Sequence, residues 1–320
     1  MELPAKIDYR VEFEPLFQQL SFTPRAIFKN GPRVLVAGGE WHRKKAIFKA
    51  PCGIATPKTS QGLKREAMFL ESAPSYLRSM VPGVYKYGKV FGKRFWYLVG
   101  WVEPGDPQNT GGSDFLIKDT FFTQESLVWA LELLKSLRRF SADVPAGLRK
   151  ELSATVYNLS SYRRLLEGLG KEFFSTPTFN FKRTAAYLDR AGGVYNRLNL
   201  TTLVHHEFYG SQILASGRSF KLSDWENLGW GHPLRDFSTI WFRSLFHSAW
   251  QEEFLARFKK GILTEGKLRE DEFEILFGVE KILQGFGNLN HFQNFPLPQE
   301  ISVKEKALDF FRRQVLGCLG

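Results

Sequence analysis

A polar segment enclosed by two apolar ends constrains this chain more than any other feature. Residues 203–214 read LVHHEFYGSQIL, so two short apolar runs flank a centre rich in groups that hold a proton or a metal ion. Short apolar runs are typical of buried strands, and polar loops between strands often carry functional residues. The segment therefore predicts a catalytic loop between two strands. A third strand, Phe220–Asp224, is predicted to bring the carboxylate of Asp224 to the same place.

The order of polar residues in this segment resembles the catalytic loop of the aminoglycoside phosphotransferase and choline kinase family, relatives of the protein kinases. That loop reads His-Gly-Asp, four further residues and Asn, and a metal-binding Asp follows about ten residues later. In this register His205 matches the His, and Glu207 stands where the catalytic Asp is expected. Gln212 stands at the Asn, and Asp224 matches the metal-binding Asp.

The two central departures, at Glu207 and Gln212, keep the functional group and add one methylene. The longer side chain moves the reacting oxygen by roughly 1.5 Å, and a misplacement of about 1 Å costs on the order of a hundredfold in rate. Two hypotheses follow. In the first, a shifted loop backbone compensates and the enzyme is active. In the second, the chain is a catalytically weak pseudokinase that acts as a nucleotide-binding sensor or scaffold.

The resemblance covers about Arg25 to Phe246 and implies an α+β, bilobal protein-kinase-like fold. A small lobe of antiparallel sheet plus one helix is expected for residues 1–105, where the nucleotide would bind. A larger, mainly helical lobe is expected for residues 106–320, which would carry catalysis and acceptor binding. The polar, Gly-rich stretch at 108–113 marks this expected boundary.

Hydrophobic periodicity predicts the elements of both lobes. Strands are predicted at Arg25–Lys29, Arg33–Ala37, Lys45–Ala50, Val81–Val84 and Phe95–Val102. Helices are predicted at Leu63–Ser72, from Thr123 onward, around Tyr157–Glu167 and Lys182–Leu198, and at Phe237–Trp250, Glu252–Lys260, Asp271–Phe286 and Lys304–Leu316.

The predicted helix Leu63–Ser72 carries a carboxylate on its apolar side. Glu66 shares the stripe of Leu63, Ala67 and Leu70, and a charge on an apolar face is costly unless it is paired. Lys49, at the end of the third predicted strand, is the expected partner. The resemblance gives this pair a role, since in the family the Lys holds the nucleotide phosphates and the Glu positions the Lys.

The resemblance implies ATP and Mg²⁺ as cofactors and a small hydroxyl-bearing molecule as the acceptor. Glu103 begins the segment that matches the hinge, where backbone groups of the family meet the adenine. Asp224 and the amide oxygen of Gln212 would hold the metal, because hard cations bind oxygen ligands. Glu207 would orient or deprotonate the acceptor hydroxyl.

Several polar residues are expected to have structural roles. His205 and Asp236 correspond to residues that brace the loop in kinase-like folds. Glu226 is expected to be solvated or at a pocket rim, and Lys221 and Arg235 are expected on the surface. A metal site at His205-His206-Glu207 is disfavoured, because adjacent His residues point apart on a strand and the His-Glu-x-x-His spacing is absent.

The net charge of +11 suits an anionic partner, and a nucleotide satisfies that requirement. No run of five basic residues occurs, so no specific nucleic-acid partner is expected. A binder of nucleic acid or membrane surfaces is a third hypothesis, and salt-sensitive retention on heparin would test it. The sequence has two cysteines and neither a signal-peptide pattern nor a long apolar run, so a cytoplasmic protein without a transmembrane segment is expected.

Overall fold

The structure is a computed structural model that describes residues 10–90, 94–103, 105–109, 116–168, 181–198, 201–266, 268–294 and 301–319. The chain divides into two compact units. The first unit comprises the described residues up to Asp106, together with Val144–Leu152 and Leu214–Leu228. The second unit comprises the remainder. The division is therefore not a single cut near residue 105, because two later segments, one of them bearing Asp224, belong to the first unit. Most of the predicted Gly-rich stretch at 108–113 lies outside the described residues.

The first unit contains a five-stranded antiparallel sheet of order β1-β2-β3-β5-β4. Its strands are β1 (Phe22–Asn30), β2 (Val34–Trp41), β3 (Lys44–Pro51), β4 (Val84–Val90) and β5 (Arg94–Gly100). The first three strands lie where the sequence predicts them. The prediction of a strand at Val81–Val84 is wrong, because Pro82-Gly83 breaks regular pairing and the strand begins only at Val84.

Aromatic packing on one sheet face fixes the direction of the side chains of β3. Helix α1 (Arg10–Leu20) packs Phe13 and Phe17 against Phe48, with ring centroids 5.5 and 4.9 Å apart. Successive side chains of a strand point to opposite faces. Lys49 therefore points away from this aromatic cluster, toward α2 (Pro57–Ser72), which begins at the N-cap residue Thr56.

The first unit also contains the short helices α3 (Ser75–Arg78) and α5 (Ala146–Leu152), and α5 contacts α2. The chain passes from the first unit to the second within the two-residue strand β6 (Asp106–Pro107). The hairpin strands β8 (Ile213–Ser216) and β9 (Ser219–Leu222) lead directly to Asp224. Lys221 donates from Nζ to the carbonyl oxygens of Ser79 and Val81, at 3.1 and 3.0 Å, which ties β9 to the chain after α3. Trp225 then packs against Phe69 of α2, with ring centroids 4.3 Å apart.

The second unit is mainly helical. Its strands β7 (Thr202–Val204) and β10 (Gly229–Gly231) form an antiparallel pair. Its helices are α4 (Gln124–Ala142), α6 (Leu159–Gly168), α7 (Phe181–Leu198), α8 (Leu234–Arg243), α9 (Ser248–Thr264), α10 (Glu270–Asn294) and α11 (Ile301–Leu319).

The prediction of one helix over Phe237–Trp250 is wrong. Helix α8 ends at Arg243, where the hydroxyl of Ser244 donates to the carbonyl of Trp241 at 2.8 Å. Such a local side-chain bond competes with continued helical bonding. Helix α9 starts only at Ser248. None of the helices in the described ranges is both long enough and apolar enough to cross a membrane.

Candidate functional site

The predicted Lys49–Glu66 pair is present in the first unit. Nζ of Lys49 lies 3.1 Å from Oε2 of Glu66 and 2.8 Å from Oδ1 of Asp224. The side chains of Lys49 and Glu66 are 13% and 4% exposed, and that of Asp224 is 37% exposed. One buried ammonium group therefore joins a helix, a strand and the segment after the β8–β9 hairpin.

Burial and charge act in opposite directions on these groups. Burial would lower the pKa of Lys49, but the carboxylates of Asp224 and Glu66 hold that pKa well above its ordinary value. Burial raises the pKa of Glu66, and the charge of Lys49 opposes this rise. Lys49 is thus a firmly protonated cation, available to any anion that replaces or joins its carboxylate partners.

Asp224 adopts an unusual backbone conformation. Its φ of 66° and ψ of 58° place it in the left-handed region, which Asp and Asn tolerate better than most residues. The next turn packs on α2, since Arg65 donates from Nη2 to the carbonyl oxygen of Glu226 at 2.9 Å. A Cβ at Gly62 would lie 3.2 Å from that same carbonyl oxygen. The small residue thus permits the close approach that fixes Asp224.

A basic pocket of about 510 Å³ lies in the first unit. The turn between β1 and β2, the start of α2 and the turn after Asp224 form its walls. Its described charged lining residues are four cations and one carboxylate: Lys29, Arg33, Lys58, Arg65 and Glu226. Burial and the charge of Asp224 raise the pKa of Glu226 to about 7. Glu226 is thus at a pocket rim, as predicted, and the pocket has a positive excess that suits phosphates.

Glu103 lies at the surface of the first unit. Its carboxylate pairs with Lys45, and its carbonyl oxygen accepts a hydrogen bond from the hydroxyl of Ser216. These contacts hold the start of the predicted hinge segment. The next residue, Pro104, lies outside the described residues.

In the second unit, the predicted catalytic loop follows β7 and is braced by Asp236. The carboxylate of Asp236 accepts the backbone N–H groups of His205 and His206, at 2.7 and 2.8 Å. Burial raises the pKa of Asp236 to about 6, against the opposing effect of these two donors. The bracing role predicted for Asp236 is therefore present.

His206 stands at the position of Gly in the loop pattern His-Gly-Asp, and its backbone has a conformation that favours Gly. Its φ is 74°, a conformation that Gly adopts freely and other residues adopt at a cost of about 1–3 kcal/mol. Two contacts offset this cost. The imidazole stacks on Tyr157 at a centroid distance of 3.8 Å, and its Nδ1 accepts from Nε of Arg235 at 3.2 Å. Burial and the charge of Arg235 hold the pKa of His206 well below its ordinary value, so the ring is neutral.

The prediction that Arg235 lies on the surface is wrong. Its guanidinium is buried beside Glu280 of α10, with Nη1 2.8 Å from Oε2. The other carboxylate oxygen of Glu280 contacts Nε2 of His232 at 2.8 Å, and the hydroxyl of Ser238 donates to Glu280 at 2.9 Å. Burial would raise the pKa of Glu280, but Arg235 and His232 lower it to about 2. This network holds Arg235 in place, and Arg235 in turn holds the imidazole of His206 in the loop.

The remaining predicted residues of the loop are both in the second unit. Glu207 is half-buried between His206 and the fully buried Phe208. Gln212 is buried, and its Oε1 accepts the backbone N–H of Tyr209 at 3.3 Å. An amide oxygen has two lone pairs and can accept from more than one partner.

The described residues contain no group of three His, Cys, Asp or Glu side chains that would enclose a metal ion. Magnesium does not require such a cage, because it keeps several waters and takes one or two protein oxygens together with substrate phosphates. The partly exposed carboxylate of Asp224 and the amide oxygen of Gln212 are donors of the required kind. Asp224 lies in the first unit and Gln212 in the second, and each has the donor chemistry that Mg²⁺ accepts beside a phosphate.

A sheet unit with a buried Lys–Glu pair, and a helical unit with a loop braced by an Asp, are the features of the protein-kinase-like α+β fold. Solved structures share it over nearly the whole chain. Aminoglycoside 2'-phosphotransferase-IIIa, in its GDP complex, has a TM-score of 0.58 at 14% identity, covering 96% of this chain and 98% of that one. Spectinomycin phosphotransferase, with ADP and spectinomycin, has a TM-score of 0.57 at 11% identity, covering 99% of both chains.

An amicoumacin kinase, in complex with AMP-PNP and Ca²⁺, has a TM-score of 0.57 at 13% identity, covering 98% of this chain and 94% of that one. At such identities the likeness shows the fold, and it confirms the predicted fold class. No protein-family model matches the sequence, and no curated protein sequence matches it.

Proposed function

We propose that the protein transfers the γ-phosphoryl group of ATP to a hydroxyl group of a small molecule. The observation that carries this proposal is the simultaneous contact of Lys49 with Glu66 and Asp224. Phosphoryl transfer asks the protein chiefly for cations that hold phosphates, oxygens that hold a metal ion, and a carboxylate near the attacking hydroxyl. The described residues supply each of these groups.

Each residue then has a defined task. Lys49, oriented by Glu66, binds phosphate oxygens of the nucleotide, and the basic pocket of the first unit attracts them. Asp224 and Gln212 would each offer Mg²⁺ an oxygen ligand, and the metal ion would neutralise charge on the phosphates. Glu207 orients the acceptor hydroxyl and takes its proton. Backbone groups of the segment that begins at Glu103 contact the adenine.

The comparisons add support. The similar structures were solved with GDP, with ADP and spectinomycin, and with AMP-PNP and Ca²⁺. Those ligands belong to the other proteins. They favour nucleotide binding here because this chain combines the shared fold with its own Lys49, Glu66 and Asp224.

A nucleotide-binding pseudokinase is the second candidate, and one observation favours it. Oε1 of Gln212 already accepts the N–H of Tyr209, so the side chain is committed in part to its own loop. Gln212 is longer than the Asn of the loop pattern, and while its oxygen bonds its own loop it does not have to coordinate a metal ion. In that case nucleotide would bind, and phosphoryl transfer would be negligible.

The double substitution Glu207→Asp with Gln212→Asn distinguishes these two functions. If the loop backbone has adjusted to the longer side chains, shortening both withdraws the oxygens and lowers turnover by about a hundredfold. We expect this result, measured as ADP release from ATP with water or an added alcohol as acceptor. An inactive wild-type protein together with an active double variant would establish the pseudokinase instead.

A further inference from the structure

A pocket of about 250 Å³ lies in the second unit beside the loop that bears Glu207. Its polar side chains are His206 and Tyr209 from the loop, Arg235 and Arg243 from α8, and Gln284 and Asn288 from α10. Leucine side chains from α6 and α10 form an apolar wall. The volume corresponds to about eight water molecules at ~30 Å³ each. A small polar group, such as a carboxylate or a phosphate, fits within this volume.

The pocket is positively charged. Two arginines and no carboxylates occur among the described residues that line it. Glu280 lies behind the lining and balances Arg235 at 2.8 Å. Arg243 donates from Nη1 to Oδ1 of Asn288 at 2.9 Å, and its guanidinium lies 5.4 Å from the ring centroid of Tyr209. Burial lowers the pKa of Arg243 to about 10, and the charge of Arg235 acts in the same direction while Tyr209 opposes them.

Asn288 provides an independent indication of a ligand. Its side chain is 3% exposed. Because the amide oxygen Oδ1 accepts from Arg243, the orientation of the Asn288 amide is fixed, and its nitrogen Nδ2 points away from that bond. Nδ2 is a buried donor with no hydrogen-bond acceptor among the described residues. A buried donor without a partner costs about 1–3 kcal/mol, and an oxygen atom of a bound group would recover that energy.

We propose that this pocket binds an oxyanion of the acceptor, a carboxylate or a phosphate, through Arg243 and Asn288, and so selects anionic hydroxyl compounds. This inference rests on the proposed phosphotransferase function, because it takes the pocket beside Glu207 as the acceptor site. A planar guanidinium and an amide N–H group are suitable donors for an oxyanion. A polycationic aminoglycoside would instead place like charges beside two arginines.

Binding of inorganic phosphate, measured by calorimetry at constant ionic strength, tests the site. We expect Arg243→Gln to raise the Kd for phosphate at least about tenfold, as loss of a buried charged hydrogen bond does. Asn288→Asp would place a carboxylate beside Arg243, where it would repel an anion and replace the amide donor, so it should abolish phosphate binding. Arg312→Gln, on the exposed surface of α11, is the matched control and should bind phosphate as the wild type does.

Comparing Lys49→Met with Arg243→Gln shows which of the two sites binds the phosphate. Binding that survives in Lys49→Met and fails in Arg243→Gln supports the proposal. Binding that fails in Lys49→Met and survives in Arg243→Gln assigns the phosphate to the nucleotide site and overturns the proposal. Acetate is tested in the same way as a carboxylate probe, and a wild-type protein that binds neither phosphate nor acetate also overturns the proposal. Binding of Mg·ATP is measured in parallel, so a failure of the proposed phosphotransferase function is seen separately.

Turnover distinguishes the two oxyanions. ADP release is measured with hydroxy acids and with hydroxyalkyl phosphates as acceptors. Each acceptor is compared with a neutral counterpart, such as the hydroxy amide for a hydroxy acid. Stimulation by either anionic class but not by its neutral counterpart supports the proposal and identifies the oxyanion. Equal stimulation by charged and neutral members contradicts it.

Discussion

Replacing Asp224 with Asn should lower ATP turnover by at least about 10²–10³-fold while leaving the fold intact. Asn also adopts the left-handed conformation that Asp224 requires, with φ at 66°. Its amide oxygen can still accept from Nζ of Lys49. The substitution therefore removes chiefly the negative charge, which the proposed metal ion needs. ADP release and the melting temperature would be measured on the same preparation.

Glu14→Gln is a matched control for Asp224→Asn, because it makes the same change of charge in the same unit at an exposed position of α1. It should leave turnover unchanged. Turnover of the wild-type magnitude in Asp224→Asn would remove the metal-binding role from Asp224.

Replacing Glu280 with Gln should lower the free energy of unfolding by about 3–5 kcal/mol, because it leaves Arg235 as a buried charge without its counter-ion. For a chain of this size that loss lowers the Tm by on the order of 10 °C. The loop bearing Glu207 should also lose order, since Arg235 bonds His206. Thermal unfolding and ADP release together measure both effects.

The lowered pKa of Glu280 also predicts that the stability of the fold depends on pH. The pKa of Glu280 is lowered from 4.5 to about 2 in the folded state, so its contribution is present above pH 4.5 and is lost as the pH falls toward 2. Glu274→Gln, on the same helix, is the control. Its exposed pair with Lys259 should contribute no more than about 1 kcal/mol. An equal small effect in both variants would contradict the structural role of Glu280.

The two buried glutamates show what the sequence could predict. Glu66 was predictable because a carboxylate on the stripe of Leu63, Ala67 and Leu70 needs a partner, and Lys49 stood at a strand end. Glu280 lies on α10 one turn after the buried Leu276, so the same reasoning applied there would have revealed it. Its partner Arg235 is 45 positions away on α8, and no local pattern connects the two.

The loop shows a second limit. The resemblance to the family's catalytic loop was the basis for the predicted roles of Glu207, Gln212 and Asp224. The hydrogen bond from Tyr209 to Gln212 and the stacking of His206 on Tyr157 depend on backbone geometry. The stacking joins residues 49 positions apart, so no local pattern reveals it. The bond to Gln212 is local, but it requires the loop backbone to turn at Tyr209, and spacing does not specify that turn.

Binding of ATP with and without Mg²⁺, measured by thermal shift, tests the central claim most directly. At about 100 times its Kd, a ligand stabilises the folded state by about 2.7 kcal/mol, which corresponds to a rise in Tm of roughly 5–10 °C. We predict a rise of this order that requires Mg²⁺ and is lost in Lys49→Met but retained in Lys44→Met, a change at an exposed position of the same strand. A rise without Mg²⁺ dependence would indicate the pseudokinase, and the absence of any rise, or an equal rise in Lys49→Met, would contradict nucleotide binding at this site.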